Sequence, residues 1–167
     1  MRKGGGETEV GLAGPEDVAE IVRLVRALAA FERADPTEVR LDENALLREG
    51  FGAAPRFQVL LARRRGRPVG FLLFYEVFST WTARPSLHVE DFFLEPEARG
   101  RGLGRRMLAE LARIGLERDA RRIDLNVLEW NPARAFYERL GFAPRRDWIG
   151  YRAGPAEIAA LAATAGG

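Results

Sequence analysis

Arg99-Gly100-Arg101-Gly102-Leu103-Gly104 lies between an apolar run ending at Leu94 and a long stretch of helical periodicity. Three glycines at alternate positions let the backbone curl tightly, and they admit a ligand without side-chain obstruction. A helix opening here would present amides that have no internal partner, and its dipole favours an anion at that end. Arg99, Arg101, Arg105 and Arg106 add positive charge. Strand, tight turn and helix in this order describe a pyrophosphate site. Two familiar versions do not fit. A P-loop needs Lys and Ser/Thr after its last glycine, and Gly104 is followed by Arg105-Arg106. The dinucleotide fingerprint is G-x-G-x-x-G, whereas this spacing is G-x-G-x-G and lies two thirds along the chain.

The rest of the chain reads as α/β. Val10–Leu12 is an edge-strand candidate. Pro15-Glu16-Asp17 opens a helix whose apolar positions are Val18, Ile21, Val22, Val25, Leu28 and Ala29. Leu41–Glu49 is a second helix, with Asp42 as N-cap and Gly50 just past its end. Gln58–Arg63 and Pro68–Val77 form a hairpin around Arg65-Gly66-Arg67. Ser86–Leu94 is a third strand. Leu103, Met107, Leu108, Leu111, Ile114 and Gly115 share one face of the long helix after the turn. Ile123–Leu128 reads as a strand, Pro132–Leu140 as a short helix, Phe142 and Trp148–Arg152 as two final strands, and Pro155–Ala163 as a closing helix. The sum is a mixed, mostly antiparallel sheet of about six to seven strands with helices on both faces.

Composition removes several classes of function. The chain has 167 residues, a span suited to one domain. It has no cysteine, so thiolate metal sites and a cysteine nucleophile are excluded, and one histidine, His88, leaves no histidine-rich metal site. No metal site is expected. No apolar run approaches the roughly 20 residues of a membrane span. Met1–Glu9 is Gly-rich without an apolar core, which predicts a disordered segment rather than a signal peptide, ahead of a single domain over residues 10–167. The expected compartment is the cytoplasm. Twenty-six Lys and Arg face 24 Asp and Glu, mostly interleaved as on a solvated surface, and no nucleic-acid motif accompanies the arginines.

Arg99-x-x-Gly102-x-Gly104 has the spacing of the acetyl-CoA loop of the GNAT superfamily of N-acetyltransferases. The likeness extends to Leu87-His88-Val89-Glu90-Asp91-Phe92-Phe93 before it, and to Glu129-Trp130-Asn131 and Phe136-Tyr137-x-x-Leu140-Gly141-Phe142 after it. Within the superfamily the chain resembles the spermidine/spermine (diamine) and thialysine acetyltransferases. Glu49-Gly50-Phe51-Gly52 with Pro55, and Val69-Gly70-Phe71 with Tyr75, match that pattern too.

The resemblance implies a GNAT fold, acetyl-CoA as donor, a small-molecule amine as acceptor and a homodimer. It implies that Phe92, Phe93, Leu94, the turn Arg99–Arg105 (Arg99, Gly100, Arg101, Gly102, Leu103, Gly104, Arg105), Asn131 and Tyr137 bind the coenzyme. The strand before the turn would splay from the next one, freeing backbone to pair with the pantetheine arm. A primary ammonium has a pKa near 10.4, so a carboxylate must relieve it of a proton, and Glu90 is the family-matched base. Asp91 would face the other way by strand alternation. Tyr137 would protonate the departing thiolate. The resemblance also implies that Glu32, Asp35, Tyr75, Glu76, Trp81, Asp91 and Glu129 frame the acceptor cleft, where carboxylates attract a cationic amine. Ser79-Thr80-Trp81-Thr82 carries no acid, which keeps lysine-like amino acids and other small amines open beside polyamines. A non-catalytic acyl-CoA-binding domain of the same fold is the alternative. Thiol release from acetyl-CoA with an amine separates the two.

Overall fold

The structure is a computed structural model that describes residues 8–166. The expected disorder of residues 1–9 falls mostly outside that range. Within it, Thr8 and Glu9 already belong to the first strand. The chain divides into two compact units, Met1–Leu128 and Glu129–Gly167.

The first unit is built on a sheet of five strands in the order β1-β2-β3-β4-β5. These are β1 Thr8–Leu12, β2 Gln58–Arg64, β3 Arg67–Ser79, β4 Arg84–Leu94 and β5 Ile123–Leu125. All neighbours are antiparallel except β4 and β5. The helices are α1 Val18–Phe31, α2 Glu43–Phe51 and α3 Leu103–Glu117.

Alternation along the strands supplies two buried faces. Val59, Leu61, Phe71, Leu73 and Phe93 meet Val18, Ile21, Val22, Leu24 and Leu28 of α1 and Leu46 of α2. Leu60, Leu72, Phe74 and Leu87 are buried on the other face. There α3 turns in Met107, Leu111 and Ile114, and Gly115 lies against Leu87. Each such apolar side chain contributes roughly 1.5–3 kcal/mol by leaving water. The sheet is therefore held rigid from both sides under the strand that carries the candidate site.

Asp42 caps α2 as expected, its Oδ1 accepting from the Ala45 amide at 2.7 Å. The helix, however, runs on through Gly50 to Phe51. Gly50 is not the stop signal. The Phe57 ring packs so close that a Cβ at Gly50 would lie 2.7 Å from it.

The second unit holds α4 Ala133–Arg139 and α5 Pro155–Ala163. It contains no strand among its described residues, so the sheet has five strands and not six or seven. Phe142 belongs to the cap of α4, as shown below. Trp148, Ile149 and Tyr151 are exposed, and Gly150 interrupts them. A strand needs a ladder partner to satisfy its backbone, and none pairs with this segment.

Candidate active site

The acceptor end of β4 is shaped by a break in register. Leu73 stands opposite Asp91 and Phe74 opposite Val89, which leaves Glu90 as an extra residue. This is a β-bulge, and bulges re-aim side chains. The Tyr75 hydroxyl donates a long hydrogen bond of 3.3 Å to Glu90 Oε2. His88 Nε2 lies 3.9 Å from the same oxygen, and the His88 and Tyr75 ring centroids are 5.1 Å apart.

The bulge suspends the alternation that would put Glu90 and Asp91 on opposite faces. The charge of Glu90 acts on Asp91, and so does that of Glu32, the residue capping the C-terminus of α1. Burial, then Glu90, then Glu32 push the Asp91 carboxyl up to about 6. Burial also raises Glu32 above the usual carboxylate range. Burial and the Glu90 charge raise the Tyr75 phenol, which keeps it a donor. Three acids thus converge, and neither the Glu32 nor the Asp91 carboxylate has a hydrogen-bond or salt-bridge partner among the described residues.

Not every acid expected here arrives. Glu76 is on the opposite face of β3, 3.9 Å from Arg118 Nη1 at the end of α3. Asp35 caps a short 3-10 turn by accepting from Thr37. Trp81 sits in the β3–β4 turn, 90% exposed.

The donor end begins where β4 outruns its neighbour. The parallel ladder covers Leu87–Val89 against Ile123–Leu125 and stops at the bulge. From there β4 continues through Phe92, Phe93 and Leu94 beside β3. The glycine turn follows. Gly100 and Gly102 both have φ +75°, and a Cβ at either would meet nothing within 4 Å. Only glycine adopts that backbone without strain, and the space it leaves is open to a ligand. Gly102 caps α3 with no side-chain hydrogen bond. The first helical bond is Arg106 N–H to the Gly102 carbonyl at 3.1 Å. The amides ahead of it, of Leu103, Gly104 and Arg105, point out of the helix end.

The four arginines divide. Arg99 folds back, its Nε donating to the Leu94 carbonyl at 2.9 Å and its guanidinium over the Phe31 and Phe93 rings at 4.7 and 5.5 Å. Arg106 donates to the Thr8 hydroxyl and carbonyl of β1. Arg101 and Arg105 have no such engagement among the described residues. The open cradle, the helix end and these two cations suit a pyrophosphate. Sequence reading did not single out Phe31, the ring that seats Arg99. Its only sequence signal is its place beside Glu32 at the end of α1.

In the second unit Asn131 Oδ1 accepts from the Ala133 amide at 2.9 Å and so starts α4. Arg134 donates to the Glu129 carbonyl. The helix ends in a Schellman motif. Gly141, at φ +91°, donates to the Glu138 carbonyl, and Phe142 N–H donates to the Tyr137 carbonyl at 3.1 Å. The Tyr137 ring is wedged between Phe136 and Phe142, with centroids 5.3 and 5.7 Å away. The Phe-Tyr-x-x-Leu-Gly-Phe pattern is therefore a helix end that fixes one tyrosine.

A turn of this form, between a bulged strand and a helix, suits the pyrophosphate of an acyl-CoA donor. The family model described as acetyltransferase (GNAT) family matches residues 24–142, and the chain belongs to that family. It is an N-acetyltransferase whose acetyl donor is acetyl-CoA. It is 32% identical over 157 residues to the thialysine N-epsilon-acetyltransferase of Mus musculus, covering 87% of this chain and 91% of that one. It is 33% identical over 129 residues to spermidine/spermine N(1)-acetyltransferase-like protein 1 of Homo sapiens, covering 72% of this chain and 18% of that one. Among solved structures, an aminoglycoside N-acetyltransferase in complex with CoA has the same fold. Its TM-score is 0.72 at 18% identity, over 92% of this chain and 99% of that one.

Proposed function

We propose that this enzyme acetylates the primary amine of a small cationic molecule, a lysine-like amino acid or a diamine, at the acidic corner of the β4 bulge. One observation carries the reading: Glu32, Glu90 and Asp91 converge there, and among the described residues no arginine pairs with their carboxylates. Gathering like charges without a counter-charge is costly, and an incoming ammonium removes the cost. The relatives named for thialysine and for spermidine/spermine point to the same class of acceptor.

In this reading the Glu90–Asp91 pair binds the ammonium and relieves it of a proton, and Tyr75 steadies Glu90. Gly100, Gly102, Arg101, Arg105 and the amides opening α3 hold the pyrophosphate of the coenzyme, and Asn131 adds a contact. When bound, the coenzyme supplies an activated acetyl thioester. The backbone of Phe92–Leu94 orients it and polarises its carbonyl. Tyr137 hands a proton to the departing sulfur. The locked ring supports this role, since a general acid must be held in place. A cytoplasmic homodimer completes the reading, on the strength of the family resemblance.

The test is thiol release from acetyl-CoA with thialysine, lysine, ornithine, spermidine and a neutral alcohol. Release with at least one cationic amine, and none with the alcohol, is expected. Acetyl-CoA binding without release for any amine would contradict the proposal.

A further inference from the structure

We infer that Asp91 takes the proton from the acceptor ammonium, while Glu90 acts as the fixed negative charge that holds it. The inference rests on the proposed amine reading and divides the labour within that same corner.

Adjacent carboxylates in a regular strand would face opposite ways and could not share one cation. The bulge at Glu90 cancels that separation. The two then differ in surroundings. The Glu90 side chain is 56% exposed and accepts from the Tyr75 hydroxyl. Water and the Tyr75 hydroxyl both reach the Glu90 carboxylate. Asp91 is partly buried beside its cross-strand partner Leu73. The groups that face it are Glu32 from the end of α1 and Glu90 on its own strand, with His88 and the Tyr75 hydroxyl lying beyond Glu90. Arg99, which reaches the Phe31 end of α1, is committed to the Leu94 carbonyl and the Phe31 and Phe93 rings.

Burial and its two acidic neighbours hold the Asp91 carboxyl at about 6, near working pH. A carboxylate in its ordinary range, about 4, is on the order of 100-fold weaker as an acceptor from an ammonium of pKa about 10.4. A carboxyl raised towards working pH and partly buried in the acceptor corner is suited to move the proton. In the step, one ammonium N–H proton passes to an Asp91 Oδ, and the freed nitrogen lone pair attacks the thioester carbonyl carbon. The N–C bond forms, the C–S bond breaks as Tyr137 protonates the sulfur, and the second proton leaving nitrogen restores the Tyr137 hydroxyl. Asp91 then returns its proton to water.

Wild type, Asp91→Asn and Glu90→Gln are compared with acetyl-CoA and thialysine between pH 6 and 10. Asp91→Asn should lower kcat roughly 100-fold or more at pH 7, with the deficit shrinking as pH nears the amine's own pKa. Glu90→Gln should raise KM for the amine about 10-fold and leave kcat within about threefold. The reverse pattern, or a kcat deficit in Asp91→Asn that ignores pH, would overturn the assignment. A carboxyl 13C NMR titration of the wild-type protein needs neither turnover nor a variant. A midpoint near 6 for Asp91 supports the inference, and one at or below 4 overturns it. If no amine of the panel releases thiol, the amine reading itself fails, and the titration still reports on Asp91.

Discussion

Two acids on the same stretch of chain live in opposite circumstances. Glu95, where β4 gives way to the coenzyme turn, is only 14% exposed and fully matched. Arg23 from α1 bonds it at 2.6 Å, and Arg67 from β3 grips both oxygens at 2.9 and 3.1 Å. Arg23 also donates to the Pro68 carbonyl and to Glu20. Asp91, on β4 before it, is partly buried beside Glu90 and Glu32, and no cation among the described residues pairs with it. A buried charge with its partners in place is scaffold, and here it pins the end of β4 from which the turn departs. A buried charge without partners lowers stability unless a ligand supplies what is missing. One strand thus carries a stiff donor end and a poised acceptor end.

Gly102→Glu attacks the donor end hardest. The open space takes the side chain, so the fold should survive, with roughly 1–2 kcal/mol of backbone strain. Acetyl-CoA binding by calorimetry should be lost, because a carboxylate would occupy the pyrophosphate cradle. Unchanged affinity in a folded variant would break the contrast between the two ends. Tyr137→Phe removes only a hydroxyl from a ring the Schellman cap still holds. Its kcat should fall roughly 10²–10⁴-fold while the KM for acetyl-CoA changes little. Wild-type turnover would make the ring mere packing.

Glu95→Gln should cost roughly 2–4 kcal/mol in chemical denaturation, because two arginines lose a largely buried counter-charge. A neutral outcome would remove the scaffold half of the contrast. The smallest effect separates the arginines of the turn. Arg101→Ala and Arg105→Ala should each weaken acetyl-CoA binding by about 10-fold without lowering stability, the worth of one charge-assisted contact. Arg106→Ala, which releases β1, should change stability more than affinity.

Much of the donor end could be read from the sequence, because its signals are local. Three alternate glycines, the arginines and the apolar stripe from Leu103 to Gly115 need no distant partner to be recognised. Asp42 as a helix cap was legible for the same reason. The acceptor end was legible only in its residue types. The bulge is a fact of pairing between β3 and β4, and nothing in Val89-Glu90-Asp91 announces it. Alternation therefore set Asp91 on the wrong side, and it gave no warning that Glu76 would turn to Arg118. The final strands failed similarly. Phe142 and Trp148–Arg152 have strand composition, yet Phe142 serves the α4 cap and the other segment has no ladder to join. Gly50 carried the composition of a helix stop, but the packing of Phe57 decided its place.

The acceptor end is tested most directly by the pH dependence of stability in wild type and Asp91→Asn. The Asp91 carboxyl is raised in the folded chain, so the folded state holds its proton more tightly than the unfolded state does. Stability is fully present below the unfolded pKa near 4, is lost as pH rises towards about 6, and stays reduced above that. An asparagine has no proton to lose. Urea denaturation at pH 4 should therefore give nearly equal stabilities, and at pH 7.5 Asp91→Asn should be more stable by roughly 2–3 kcal/mol. Equal stabilities at both pH values, or a variant less stable at pH 7.5, would mean that Asp91 is already matched within the fold and is not held open for an ammonium.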